Sequence, residues 1–129
     1  MQLDEIRAFS ADQERGHWFD LADPVTGKAT GIRVKLAGPD SVTQNKARLQ
    51  LADDLSAVAD AEGRVTAEQR EAARIDSLAR CILDWEVRED GNPVSFTHAN
   101  AVRLLKAASW VQAQIDAFAS DRAAFRRAD

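Results

Sequence analysis

The chain has 129 residues, 45% of them hydrophobic and 29% charged. That is enough apolar material for one domain with a core, too much for a disordered chain, and nowhere a run of the ~20 apolar residues that span a bilayer. The net charge of −4 is uneven: residues 1–50 are neutral, residues 51–100 carry −6 and residues 101–129 carry +2, so a nucleic-acid backbone would be repelled by the middle and held only weakly by the tail. The start, Met1 to Glu5, has neither the basic nor the apolar block of a signal peptide. A single cysteine, Cys81, excludes an internal disulfide. Together with His17 and His98 it is too few ligands for a structural zinc site. A single domain over 1–129, without metal or cofactor and in a cytoplasm, is the expectation.

Residues 1–16 read either as an arm or as a short helix, with Leu3, Ile6 and Phe9 three apart. Residues 17–37 read as a β-hairpin. Ile32, Val34 and Leu36 alternate with Arg33 and Lys35, the period of a half-buried strand. Asp23, Pro24 and Gly27 supply the reversal before it. Pro39 ends this unit, and Asp40 or Ser41 can accept an orphan N–H at a helix start.

Residues 41–126 read as helical. The first helix covers 41–61, with Leu51, Leu55 and Val58 on one face and Gly63 as its stop. Thr66 and Gln69 have capping-box spacing and open a second helix. Ile75, Leu78, Ile82 and Trp85 extend it as one apolar stripe, with Asp76, Arg80, Asp84 and Arg88 as an i,i+4 charge ladder. Asp90, Gly91, Asn92 and Pro93 break it. Thr97 caps a short helix to about Ala107, with Val102 and Leu105 inward. Val111, Ile115, Phe118 and Phe125 continue a stripe through a last helix. The fold class is therefore expected to be mainly α with an N-terminal β-hairpin (α+β), with about four helices in a single domain.

Sites for chemistry are sparse. Gly27-Lys28 lacks the earlier Gly and the following Ser or Thr of a phosphate loop, and a strand follows it instead of a helix. Cys81 reads as a small helical hydrophobe, since nothing in the spacing brings His17 or His98 to it. His98 fits a first-turn capping role. Asp53-Asp54 and Glu89-Asp90 diverge by ~100° on a helix and cannot form a dyad. The unusual inventory is aromatic: Trp18, Trp85, Trp110, Phe96, Phe118 and Phe125. Core is the plain reading of each. Yet adjacent Trp110 and Val111 cannot both face inward on one helix, so one is left for solvent or a partner.

From Leu78 to Trp85, through Asp90 to Thr97, and on through Asn100 to Leu105 and Trp110-Val111, the chain resembles the tail assembly chaperones of long-tailed bacteriophages and prophages. The Asp23-Pro24-x-Thr26-Gly27 turn, the Gly38-x-Asp40-Ser41 entry and the closing Asp121 to Phe125 are similar too, so the resemblance covers about residues 17–126. Where that family often has a proline before its last helix, this chain has Ala107-Ala108-Ser109.

The resemblance implies a non-enzymatic protein of the host bacterial cytoplasm. It would bind the tape-measure protein, help recruit tail-tube subunits around it and match the shorter of two frameshift-related forms. Its partner-contact residues are expected at Trp110, Val111, Ile115, Phe118 and Phe125, with no catalytic, metal or cofactor residues and with self-association open. Two rival readings stand beside it: a minor virion component such as a head–tail connector or tail-completion protein, and a small enzyme using Cys81 and His98.

Overall fold

The structure is a computed structural model and describes residues 1–126. In chain order it runs α1 (Leu3–Arg15), β1 (His17–Ala22), β2 (Ala29–Leu36), α2 (Val42–Val58), α3 (Ala67–Arg80), β3 (Ile82–Glu86), β4 (Arg88–Glu89), β5 (Asn92–Pro93), α4 (His98–Ala107) and α5 (Ser109–Ala119). A 3-10 turn, Arg122–Phe125, follows.

This overturns the expected fold class. The chain is a mixed α+β fold with five helices and five strands in two sheets among the described residues, instead of a mainly helical chain of about four helices with one hairpin. Residues 1–16, left between arm and helix, hold a helix of 13 residues. The hairpin β1–β2 is not isolated, because β3 pairs antiparallel with β2 to give a sheet of order β1-β2-β3.

The residues now in β3 were expected at the end of a helix. α3 stops at Arg80, with Cys81 as its C-cap. The register then steps from Leu36↔Ile82 to Lys35↔Asp84, which leaves Leu83 as an extra residue in β3. A bulge of this kind puts residues three apart on the same face. Ile82 and Trp85 are therefore both buried while Asp84 and Glu86 stay exposed, and the spacing imitates a helical stripe. The i,i+4 charge ladder dissolves with the helix. Asp76 meets His98, Arg80 meets Asp54 of α2, the Asp84 carboxylate accepts the Trp85 N–H, and Arg88 donates to the Gly91 carbonyl.

The helix starts are set locally. The Ser41 hydroxyl accepts the Gln44 N–H at 3.0 Å. Thr66 and Gln69 form the reciprocal capping box at 3.1 and 3.0 Å, and Thr97 accepts the Asn100 N–H at 3.1 Å. Each such cap satisfies a backbone donor that the helix cannot.

One face of the sheet supplies the core. Leu21, Val34, Leu36, Ile82 and Trp85 pack against Ile75 and Leu78 of α3, Leu105 of α4 and Val111 and Ile115 of α5. The other face is solvated charge. Arg33 bonds Asp20 at 2.8 Å and Glu86 at 3.4 Å across the strands, and its guanidinium lies 4.8 Å from the Trp18 ring centre. Cross-strand ion pairs of this kind add a few tenths of a kcal/mol each and favour exposure of that face.

Candidate protein-interaction surface

The five residues expected to contact a partner lie mostly inside. Ile115 and Phe125 are fully buried and Val111 nearly so, while Trp110 and Phe118 are half-buried. Phe118 stacks on Phe19 of β1 with ring centres 4.8 Å apart. Phe125 meets His17 edge-on at 5.4 Å and Phe118 at 5.2 Å. These rings hold α5 and the closing 3-10 turn against β1, so the stripe serves the core of this chain. Gln114 of α5 completes the seam. Its side-chain amide accepts the Ala22 N–H at 2.9 Å and donates to the Ala22 carbonyl at 2.8 Å, standing in for a neighbouring strand at the sheet edge.

Trp85 and Phe96 contact edge to face at 5.6 Å, and the Trp85 indole N–H donates to the Val94 carbonyl at 2.8 Å. They form the floor under the β4–β5 hairpin, with Phe96 partly open to solvent.

Cys81 is buried and lines a cleft of about 230 Å³ shared by α2, α3 and α5. Arg48, Arg74 and Asp116 also line it, and no histidine does. Burial pushes the Cys81 thiol up to about 11, and the nearby Asp116 charge acts in the same direction. Such a thiol holds very little thiolate at neutral pH. His98 instead lies 3.3 Å from Asp76 and ties the start of α4 to α3. Asp54 is held by Gln50 and Arg80, and Glu89 by Arg103, as ion pairs and hydrogen bonds without a shared carboxylate partner. Gly27 and Lys28 lie in the β1–β2 turn, built on the Asp23 carboxylate accepting the Val25 and Thr26 N–H groups.

The apolar surface that remains open is elsewhere. α2 and α3 run back along each other: the Ser77 hydroxyl reaches the Ala47 carbonyl near one end. Near the other end Ala57, Val58, Ala72 and Ala73 line an open groove of about 370 Å³, rimmed by Asp54, Asp76 and Arg80. Small side chains there let another helix approach closely. Other large apolar side chains open to solvent are Leu3 and Ile6 of α1 and Val42 and Leu49 of α2, which are 61, 50, 59 and 61% exposed. The three-residue spacing of Leu3 and Ile6 is readable in the sequence; Val42 and Leu49 lie outside the Leu51-Leu55-Val58 stripe and carry no comparable signal.

No helix among the described residues is long and apolar enough to cross a membrane. None of their His, Cys, Asp and Glu side chains form a group of three or more placed to hold a metal ion. Fold and surface together define a small α+β protein with helix-lined grooves open to solvent. Residues 40–129 match the model of the YdaY prophage protein family, and the chain belongs to that family. The match takes in α2 and everything after it, while α1, β1 and β2 precede it. No curated protein and no solved structure gives a significant match.

Proposed function

We propose that this prophage protein is a tail assembly chaperone, acting without catalysis by covering apolar helices of the tape-measure protein and helping tail-tube subunits gather around it. The observation that carries the reading is the α2–α3 groove. The core closes without it, yet Ala57, Val58, Ala72 and Ala73 leave an apolar channel of about 370 Å³ between two helices. An amphipathic helix laid there completes a three-helix contact, the helix-in-groove mode of recognition. Membership of a prophage family supports the setting. The contact residues proposed from the structure are thus in α2 and α3, not in the buried part of α5.

Co-expression with the tape-measure protein of a long-tailed phage or prophage tests the reading. The wild-type chain raises the soluble yield of tape-measure protein, and Ala72→Glu in the groove removes that gain without changing the melting temperature. An unchanged yield overturns the proposal. Mass spectrometry of purified particles separates the rival structural role: a chaperone is missing from finished particles, whereas a connector or completion protein is present at fixed stoichiometry.

A further inference from the structure

α1 meets the body of the protein through its second half. Residues 1–8 are exposed. Among the described residues, Phe9 is the only side chain of α1 packed against the hydrophobic core, and Gln13 is fully buried. Three backbone N–H groups of the body donate to this end of the helix. Gly38 donates to the Gln13 carbonyl at 3.0 Å, Asp40 to Gln13 Oε1 at 2.6 Å and Thr43 to Glu14 Oε2 at 3.0 Å. Gly38 and Asp40 lie between β2 and α2, and Thr43 is in the first turn of α2, where no helical carbonyl is in reach. From α1 the chain enters β1 through Gly16 alone, at φ 79° and ψ 167°, a backbone conformation essentially restricted to glycine. A helix joined to a sheet by one glycine has a pivot, since hinges are a few residues at element ends that absorb the change in φ and ψ.

Two arginines from the other end of the chain act on the same contact. The Arg126 guanidinium lies 5.4 Å from the Phe9 ring centre. Arg122 donates to both Asp40 carboxylate oxygens, at 2.8 and 2.9 Å, and so fixes the carboxylate that accepts the Gln13 side-chain N–H at 3.0 Å. Between the two arginines, Phe125 is fully buried against His17 and Phe118 and pins their backbone. We infer that α1 is an arm hinged at Gly16 and latched by Arg126 at Phe9 and by Arg122 through Asp40, and that it opens as one piece while the rest of the fold stays closed. Phe125 stays seated in the open form. The contacts that part are the Phe9 ring, the Gln13 and Glu14 hydrogen bonds and the Arg126 guanidinium. One core ring and a few hydrogen bonds hold a segment less firmly than a set of buried apolar side chains, so its opening lies below global unfolding. The latch couples the two ends of the chain, because a disturbance of the segment after α5 loosens the helix that begins the protein. The inference uses different residues from the α2–α3 groove and stands independently of the tail-assembly reading.

Native-state hydrogen exchange, read residue by residue by nuclear magnetic resonance on the full chain, tests it. The Gly38, Asp40 and Thr43 amides report from the body side, because α1 supplies their acceptors. They are expected to share one opening free energy with the amides in the second half of α1, below that of the α3 and α4 amides that exchange by global unfolding. Arg126→Ala and Arg122→Ala each speed exchange at the three reporters about twofold or more, the scale of an exposed cation–ring contact or ion pair. Arg122→Lys, which keeps the charge without the two-pronged grip, falls between Arg122→Ala and the wild type. Exchange of the three reporters at the global rate overturns the inference. Three different opening free energies overturn it as well, because they mark independent fraying instead of one moving arm. Unchanged exchange at the reporters in both alanine variants, with any rise confined to the globally exchanging amides, overturns the latch, since the arginine contacts would then survive the opening.

Discussion

The main-chain carbonyl of Gln13 accepts the Gly38 N–H at 3.0 Å, and the Gln13 side chain occupies the space that a Cβ on Gly38 would need. A methyl group built there comes within 2.7 Å of Cβ, Cγ and Oε1 of Gln13. The same side chain accepts the Asp40 N–H at 2.6 Å and donates to its carboxylate at 3.0 Å, so it cannot swing away without losing both bonds. Gly38→Ala should therefore destabilise the protein by about 1–3 kcal/mol, the usual cost of overpacking a filled site. Urea unfolding measures this as a lower midpoint at unchanged slope.

Asp40 is also the anchor for the far end of the chain. Arg122 donates to both of its carboxylate oxygens, at 2.8 and 2.9 Å. The Arg122 hydrogen bond, followed by that from Gln13, holds the Asp40 carboxyl down at about 2. A depressed carboxylate pKa contributes stability that is complete above the unfolded value of about 4 and is lost as pH falls toward the folded value of about 2. Stability should fall across that acid window. Asp40→Asn should flatten this part of the profile and cost at most about 1 kcal/mol at neutral pH, since the pair is largely solvated. Thermal melts of both proteins from pH 6 to pH 2 supply the comparison. Parallel curves would show that Asp40 is not the group responsible.

The Gln114 amide pairs both the N–H and the C=O of Ala22. Gln114→Ala leaves those two backbone groups without their partners at a partly buried edge, for a loss of about 1–3 kcal/mol. It also opens the outer edge of β1 to pairing with other chains. Chemical denaturation reads the first effect and turbidity on mild heating reads the second. Gln114→Glu, which keeps the length but loses the amide donor, should be intermediate.

Local signals in this sequence were the readable ones. Ser41, Thr66 and Thr97 start helices because a hydroxyl and a backbone N–H three residues on are enough to decide the matter. Ile32, Val34 and Leu36 specify one face of β2 by simple alternation. Failure came where a pattern has two physical solutions. Ile82 and Trp85 share a face in a helix, and they share one in a strand with a bulge at Leu83. Asp90 and Gly91, at φ 52° and 79°, do more than stop a helix: they form the tight turn joining β4 to β5. The site suffered in the same way. An apolar row on α5 looks alike whether its neighbour is β1 or another protein, and only the tertiary contact of Phe118 with Phe19 decides between them.

That contact gives a sharp test of which role α5 plays. Phe125 is fully buried between His17 and Phe118. Phe125→Ala should cost about 3–5 kcal/mol, as deletion of a buried aromatic ring does. That is a large share of the 5–15 kcal/mol that holds a typical domain together. Phe118→Ala, at a half-buried position, should cost less while still lowering the melting temperature. Ala72→Glu in the α2–α3 groove should leave the melting temperature unchanged. Calorimetry on the three variants separates the roles. If Phe125→Ala melts like the wild type and loses only partner binding, α5 is a docking helix and its packing on β1 is not what stabilises the fold.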